Sequence, residues 1–255
     1  TRSLVTSAFV PSGSRTLEVS AAELYREGDN VIITQPSTVA WLSSIAFGST
    51  GNDAPWVPGD LDIFYNRYIT DVNIPESKIT LDAPIYDHLE RSLAQSEVYT
   101  LNLPSQRREI GIENLRIDID TDGELDENHA RTAIFMAGVE DCWVKDVTGL
   151  HFSYALVDMK TATRVTITGC SALSPHSLVT GARRYNFNVS SKSNNILFKD
   201  CFSTKGRHSF VSNGTSSASG IVWTNCTSEF DLSTSEGHRR WSQGLLYDKI
   251  DFRLA

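Results

Sequence analysis

The chain has few of the residues that mark redox or zinc proteins, and it lacks both a long apolar run and an excess of positive charge. Its four cysteines form no Cys-x-x-Cys pair, which argues against a zinc ribbon or a dithiol redox motif. No apolar run approaches the roughly 18 residues of a bilayer-spanning helix. The net charge of -8 argues against a duplex nucleic-acid partner, which usually requires a basic face. We therefore expect neither a membrane nor a nucleic-acid partner, although an acidic polymer can still bind a local basic patch.

A short apolar strand recurs through the second half of the chain. In each copy two apolar residues lie two positions apart, which is the period of a strand with one buried face. The ends of successive copies are 27, 23, 31 and 25 residues apart, which is the period of a solenoid. The predicted copies are residues 114–117, 141–144, 164–167, 195–198 and 220–223.

Three residues after most of these strands comes an apolar residue that we interpret as an inward position beyond a bend. Because stacked coils lie about 4.7 to 4.9 Å apart, Cys170, Cys201 and Cys226 would form an internal ladder of buried thiols. Val147 holds this position in an earlier coil, whereas the copy at 114–117 has Asp120 there. A second strand follows about a dozen residues after the first. Its predicted copies are residues 134–136, 156–158, 178–180, 210–212 and 245–247.

These repeats predict an all-β fold, a right-handed parallel β-helix with an N-terminal or inserted β-rich module. We place the coils at residues 105–255, with a boundary near Pro104. The module at residues 1–104 should contain a short helix, opened by a capping box between Ser20 and Glu23. The chain starts at Thr1 without an initiator Met and ends without an evident solenoid cap, so we expect the full protein to be longer. Strands in the module are predicted around residues 31–34, 61–70, 79–81 and 98–101.

Coils longer than the minimal repeat must carry the excess in loops, and such loops tend to gather on one binding face. The excess lies at residues 118–129, 181–194 and 229–240. One polar residue in each of four coils lies three residues before an aligned apolar residue of the second strand. These polar residues should stack in successive coils on one side. Clustered arginines nearby indicate an absent anion, because like charges without a partner oppose folding. The predicted column is Arg131, Tyr154, His176 and His208.

The repeats, with Gly206-Arg207-His208-Ser209-Phe210-Val211 and the segment Gly237-His238-Arg239-Arg240-Trp241-Ser242-Gln243-Gly244-Leu245-Leu246-Tyr247-Asp248, resemble pectate-lyase-like β-helix proteins of microbes. The resemblance covers about residues 105–250. It implies the β-helix fold, and a polysaccharide substrate leads us to expect an extracellular or periplasmic location. Lyases, hydrolases, transferases and phage tail spikes share this fold, so the resemblance does not choose the activity. The paired-aspartate motif of polygalacturonases and the Trp-x-Asp-His signature of pectate lyases are both missing, and no catalytic residue is carried over from those families.

The residue types fit eliminative cleavage of a uronic-acid polysaccharide, which needs a cation for the carboxylate, a base for the C5 proton and an acid for the leaving oxygen. Arginine binds carboxylates bidentately, and histidine titrates near neutral pH. We predict His208 as the base, Tyr185 or His176 as the acid, and Arg207 beside the carboxylate. The predicted substrate-binding residues are Arg131, Tyr154, Arg183, Arg184, His238, Arg239, Arg240 and Trp241.

Two other functions stay open. A glycoside hydrolase or transferase would need two carboxylates about 5 to 9.5 Å apart, for which Asp158, Glu236 and Asp248 are the candidates. A non-catalytic, tail-spike-like solenoid would use the same column only to grip an acidic polysaccharide. The sequence leaves the oligomeric state open.

No cofactor and no metal are expected at the predicted site. A calcium ion is the one alternative, because Asp118-Ile119-Asp120-Thr121-Asp122-Gly123 matches the start of a calcium loop. Position twelve of that loop is His129 rather than Glu, which speaks against a full EF-hand.

Overall fold

The computed structural model describes residues 1–48, 55–213, 217–238 and 240–254. The chain forms two compact units, Thr1–Pro104 and Ser105–Ala255. In the described part of the chain, no helix is long and apolar enough to cross a membrane.

The first unit is an antiparallel β-sheet in the order β1-β8-β4-β5-β6-β3, accompanied by the separate pair β2 and β7. The central strand β4 is almost entirely buried, as its run Val-Ile-Ile-Thr predicts. The strands are β1 (Arg2–Leu4), β2 (Phe9–Val10), β3 (Thr16–Glu18), β4 (Asn30–Gln35), β5 (Ile63–Asn73), β6 (Lys78–Leu81), β7 (Leu89–Glu90) and β8 (Glu97–Thr100).

The helical content of this unit differs from the prediction. The capping box does not form: Ala22–Leu24 is a single 3-10 turn without a side-chain cap. Ser20 Oγ instead accepts the amide of Leu4 at 3.0 Å. A short α-helix, α1 (Val39–Ser44), begins after Thr38, whose hydroxyl accepts the Trp41 amide. A second 3-10 turn spans Ala46–Gly48.

The second unit is a parallel β-helix whose strands pair in one 14-stranded sheet, as predicted. The strands form three lines, called A, B and C in chain order; the first coil contributes to B and C only, and β12, β14, β20 and β22 bend from one line into the next. The strands are β9 (Arg107–Arg108), β10 (Gly111–Glu113), β11 (Arg116–Asp118), β12 (Thr132–Lys145), β13 (Thr148–Leu150), β14 (Ala155–Thr168), β15 (Ser171–Leu173), β16 (Phe187–Ser190), β17 (Asn194–Lys199), β18 (Phe202–Thr204), β19 (Phe210–Ser212), β20 (Ala218–Asp231), β21 (Glu236–Gly237) and β22 (Ser242–Leu254).

Line B follows the predicted repeat in four of its coils. Val144, Ile167, Phe198 and Trp223 are successive partners in register. The aromatic rings of Phe198, Trp223 and Tyr247 stack at centroid distances of 5.7 and 4.5 Å. Burying such a side chain stabilises the fold by about 1.5 to 3 kcal/mol, and each aromatic pair adds about 0.5 to 1.5 kcal/mol.

The predicted cysteine ladder also forms. Cys170, Cys201 and Cys226 are free, buried thiols at the first position of line C, in line with Val147. The residue before each of them, such as Gly169 or Asp200, has a positive φ. Glycine, aspartate and asparagine tolerate that conformation best, which explains the turn residues of the repeat.

The prediction for the first coil assigned residues 114–117 to line B, but the strand in line B precedes the bend and is Gly111–Glu113. Ile112, rather than Ile117, lies opposite Val144, and Ile117 pairs with Gly149 in line C. Leu115 therefore takes the position that the prediction gave to Asp120. The slip arose because two short strands with similar alternation flank the bend at Asn114, which has a positive φ.

Two predicted copies of the second strand were also wrong. Residues 178–180 form a loop in which Leu178 and Val179 are exposed, and Phe187 of β16 stands between Val157 and Phe210 instead. Residues 245–247 belong to line B, opposite Ile221 to Trp223. The apolar residues on these two segments resemble those of the second strand, although neither segment forms that strand.

Loops that join line C to line A meet at one corner of the coils. The predicted loop at 118–129 agrees with the observed loop, residues 119–131. The predicted loop at 181–194 overlaps β16, so the observed loop is 174–186. The last predicted loop, 229–240, contains the end of β20 and all of β21. The corner formed by loops 119–131, 151–154, 174–186, 205–209 and 232–235 carries the candidate site.

Candidate functional site

A column of stacked polar side chains follows this corner from coil to coil. The ring centroids of Tyr154 and Tyr185 are 5.4 Å apart, those of Tyr185 and His208 are 5.2 Å apart, and those of His208 and His238 are 4.7 Å apart. The Arg131 guanidinium lies 4.3 Å from the Tyr154 ring centroid. These separations are close to the strand spacing of about 4.7 to 4.9 Å. We call Arg131, Tyr154, Tyr185, His208 and His238 the corner column.

Three members of the predicted column lie in the corner column, and His176 does not. The strand predicted at 178–180 does not exist, and the strand of this coil is β16, which begins at Phe187. Tyr185 precedes β16 by two residues and therefore takes the place predicted for His176. The corner column extends by one further coil to His238, which follows β21 and reaches the column from outside the corner loops. Tyr185 and His208 both precede paired phenylalanines, Phe187 and Phe210, by two residues, and that shared offset is the sequence signal that would have found Tyr185.

His176 belongs to a separate cluster beside loop 119–131. Its Nδ1 is 2.7 Å from Thr121 Oγ1, and its ring centroid is 4.2 Å from that of His151. His151 Nδ1 in turn lies 2.9 Å from Asp118 Oδ1. Burial and the neighbouring His151 lower the pKa of His176. These contacts tie His176 to the loop rather than to Tyr185.

Arg207 connects two rings of the corner column. Its Nη1 donates to Tyr185 Oη at 2.9 Å and to His208 Nε2 at 2.9 Å. Because arginine only donates hydrogen bonds, His208 Nε2 must accept, and its Nδ1–H donates to the Thr234 carbonyl at 2.5 Å. Both His208 nitrogens are therefore engaged in the neutral ring. Burial lowers the pKa of His208, which favours that state.

A second hydrogen-bond chain leads from Tyr185 towards solvent. Tyr185 Oη lies 3.1 Å from His238 Nε2, and His238 Nδ1 donates to the Glu236 carboxylate. Tyr185 and His208 are each 2% exposed, whereas the side chains of His238 and Glu236 are 23% and 37% exposed. The chain thus links a buried phenol, held by a guanidinium, to an imidazole at the surface.

The arginines predicted to bind substrate have different surroundings. Arg184 is buried and donates to Ser177 Oγ and to the carbonyls of Ser177 and Glu124, so it fastens two corner loops together. Burial lowers its pKa. Arg183 forms two hydrogen bonds with the Glu127 carboxylate, at 2.9 and 2.7 Å.

The remaining residues of the predicted site lie between β21 and β22, outside the corner loops. Trp241 is 7% exposed and has a positive φ, so its ring is largely withdrawn from solvent. Arg240 is half-buried. Arg239 lies outside the described residues.

The three carboxylates considered for hydrolysis are spread over the unit. Asp158, Asn188, Val211 and Glu236 are successive partners in line A, which places the Asp158 and Glu236 backbones about 14 Å apart. Asp248 lies in line B and accepts from Thr224. Burial raises the pKa of Asp158, while the amide of Asn188 donates to it at 2.6 Å.

The potential metal ligands of the described residues gather at the corner column. Ligand atoms of His208, Glu236 and His238 all lie within 4.8 Å of one another, and no other such group forms within the described ranges. Two histidines and a carboxylate suit zinc, but Arg207 already donates to His208 Nε2.

The segment considered as the start of a calcium loop has other contacts. Asp118 pairs with Arg116 and His151, and Asp126, further along, accepts backbone amides.

Comparisons with known proteins identify the fold. No protein-family model matches the chain, and no curated protein matches it significantly. The tailspike of Pseudomonas phage phi297 has a TM-score of 0.57 and 13% identity, over 89% of this chain and 34% of that one. The tailspike of Acinetobacter baumannii bacteriophage AP22, solved with a capsular saccharide, has a TM-score of 0.48 and 10% identity, over 99% of this chain and 45% of that one. The tailspike of Pseudomonas phage LKA1 has a TM-score of 0.44 and 10% identity, over 91% of this chain and 46% of that one.

The likeness to the phi297 tailspike supports the predicted class, a parallel β-helix solenoid. The chain spans between a third and a half of the length of these tailspikes. Membership of the pectate-lyase-like family is not shown by any of these matches.

Proposed function

We propose that this chain is the tailspike-like β-helix of a carbohydrate-active protein and that its corner column binds and cleaves a polysaccharide. The observation that carries the proposal is the hydrogen-bond chain from Arg207 through Tyr185 and His238 to Glu236. A proton donor, a proton acceptor and a fixed cation stand together there, with Tyr185 buried and His238 and Glu236 reaching the surface. The elongated column, with aromatic rings and an arginine, suits a linear polymer lying along the coils.

The reaction that these groups fit is β-elimination of a uronic-acid residue. Tyr185 can pass its proton to His238 Nε2, because Arg207 stabilises the phenolate and Glu236 stabilises the imidazolium. The phenolate then takes the C5 proton, the bond from C4 to the glycosidic oxygen breaks, and a C4–C5 double bond forms. His238 returns its Nε2 proton to the leaving oxygen, so that both residues end in their starting states.

This assignment changes the role of His208. Because both of its ring nitrogens are engaged, His208 serves in this proposal to position Arg207, and His238 moves the proton. Hydrolysis is less well supported, because the Asp158 and Glu236 backbones lie about 14 Å apart and the Asp158 carboxylate already accepts from Asn188.

Binding without turnover is the second candidate function. The burial of Tyr185 and His208, each 2% exposed, favours it, because a polymer reaches Tyr185 Oη only if the corner loops open. In that case the column grips the glycan through its exposed members, Arg131 and His238.

A panel of uronic-acid polysaccharides tests the two functions, with near-ultraviolet absorbance reporting an unsaturated product. A rise on one polymer supports the lyase, and its loss in Tyr185→Phe assigns the reaction to the corner column. New reducing ends without absorbance would replace elimination by hydrolysis. Retention of a polymer on immobilised protein without either signal would leave binding alone, and no retention of any glycan would refute the proposal.

A further inference from the structure

A groove opens beside the Arg131 end of the corner column. It has a volume of about 410 Å³, which falls within the range of ligand pockets. Its walls come from corner loops of three successive coils. They consist of Glu127, His129, Arg131, Ser153, Ala182 and Arg183.

His129 is the unexplained residue of this groove. Its side chain is only 3% exposed, yet its Nε2 makes no hydrogen bond within the described residues. Nδ1 lies 3.3 Å from Asp126 Oδ2, whereas Nε2 has no comparable neighbour there. A buried polar atom without a partner is costly, and such atoms in native proteins call for an explanation such as a ligand.

Arg131 supplies the positive charge of the groove. Its guanidinium is stacked on Tyr154, and its Nη2 reaches the Ala182 carbonyl only at 3.5 Å. Among the described residues, Arg131 has no carboxylate within ion-pair distance. Arg183, the other arginine of the groove, is neutralised by Glu127. The positive charge of Arg131 is therefore not compensated by an ion pair.

We propose that this groove is a subsite for a carboxylate-bearing sugar residue of the polysaccharide. The inference rests on the proposed function and deepens it by adding a second carboxylate-binding site apart from the place of cleavage. A planar carboxylate matches the two parallel donors of Arg131, and His129 Nε2–H donates to the same group. Arg131 and Tyr185 are two coils apart, or about 10 Å along the stack. The subsite therefore recognises a different sugar residue from the one that is cleaved.

Nuclear magnetic resonance of the histidine rings tests this subsite directly. The probe is the monosaccharide glucuronate, with glucose as its neutral counterpart, and the His129 resonance is assigned through a His129→Gln variant. We expect glucuronate, but not glucose, to shift the His129 resonance. Arg131→Gln should weaken that binding by about 10- to 100-fold, because a charge-assisted contact is lost. Arg253→Gln is the matched control, since Arg253 is an exposed arginine paired with Glu229 and Asp251.

The outcomes separate this inference from the proposed function. A His129 resonance that stays unmoved through a saturating glucuronate titration, or that moves equally with glucose, overturns the subsite. Binding that Arg131→Gln leaves unchanged overturns it as well. Turnover of a uronic-acid polymer with an unmoved His129 would uphold the proposed function and reject the subsite. A shift at His129 with no polymer bound or cleaved would uphold the groove as a carboxylate site and reject the proposed function.

Discussion

Tyr185 Oη and His238 Nε2 lie 3.1 Å apart, although 53 residues of chain separate them. Tyr185 precedes β16 and His238 follows β21, and the coil that carries β19 lies between them. Arg207 donates to the phenol oxygen, so the proton on Tyr185 is directed to the imidazole. This pair is the chemical centre of the corner column.

Tyr185→Phe should lower turnover by about 100- to 10,000-fold, the usual contribution of a general acid or base. The phenylalanine ring keeps the stack with Tyr154 and His208, so we expect polysaccharide binding to persist. Turnover is measured from product absorbance, and binding from retention on immobilised polymer. Tyr247→Phe is the matched control, because it removes a hydroxyl that donates to the Phe210 carbonyl in the core. Equal losses in both variants would mean that the hydroxyl of Tyr185 has only a structural role.

His208 should behave differently if it only positions Arg207. His208→Ala removes the acceptor that holds the guanidinium, and we expect a large loss of turnover. His208→Gln supplies an amide oxygen that can accept from Arg207, so it should recover a substantial part of that loss. Both variants are compared by kcat and KM, with His88→Gln in the first unit as the control. Equal and complete inactivation by alanine and glutamine would restore His208 to the role of base.

The repeat in line B was predictable because its residues alternate between a packed and an exposed face over several coils. Val144, Ile167, Phe198 and Trp223 depend on local pattern and stacking alone. The corner was harder, because the path of a loop is set by contacts that leave no periodic trace. Leu178 and Val179 look like a strand in the sequence, yet the loop that carries them is fastened by Arg184 and Glu127.

Part of the candidate site could be predicted from residue types alone. Tyr185, Arg207 and His208 were identified from their residue types, and the structure places them in contact. The partnership of His238 with Glu236 depends on how β21 pairs with β19 of the previous coil, which no pattern encodes. Arg184 was predicted to bind substrate, and in the structure its guanidinium joins two loops through Ser177 and Glu124.

Zinc should inhibit the reaction. His208, Glu236 and His238 offer nitrogen and oxygen atoms within 4.8 Å of one another, and zinc prefers such ligands. A bound ion would displace Arg207 from His208 Nε2 and remove the acceptor for the Tyr185 proton. We expect activity to fall on titration with zinc and to return with a chelator. Chelation of the untreated protein should leave turnover unchanged, whereas a loss that calcium reverses would point to a calcium site such as the one predicted at Asp118 to Gly123.

Asp231 should make the stability of the fold depend on pH. It is 1% exposed, and burial raises its pKa to about 6, while Ser209 Oγ and the Gly206 amide donate to its Oδ1. In the unfolded chain an aspartate titrates near a pKa of about 3.9. Between these two values the folded state binds more protons than the unfolded state, so the contribution of Asp231 to the free energy of unfolding falls as pH rises from about 4 to about 6. The loss is at most about 3 kcal/mol and is complete above that window.

Asp231→Asn keeps an oxygen that accepts from Ser209 and Gly206 but cannot ionise. We subtract the free energy of unfolding of the wild type from that of Asp231→Asn at each pH. This difference should be larger at pH 7.5 than at pH 4, by up to about 3 kcal/mol. Urea unfolding of both proteins at the two pH values gives this difference. The contributions of the other carboxylates are the same in both proteins and cancel in it. Because Asp231 holds the loop that carries Arg207 and His208, turnover should follow the same window if its ionisation loosens that loop. A difference between the two proteins that does not vary with pH would show that Asp231 does not titrate between pH 4 and 7.5.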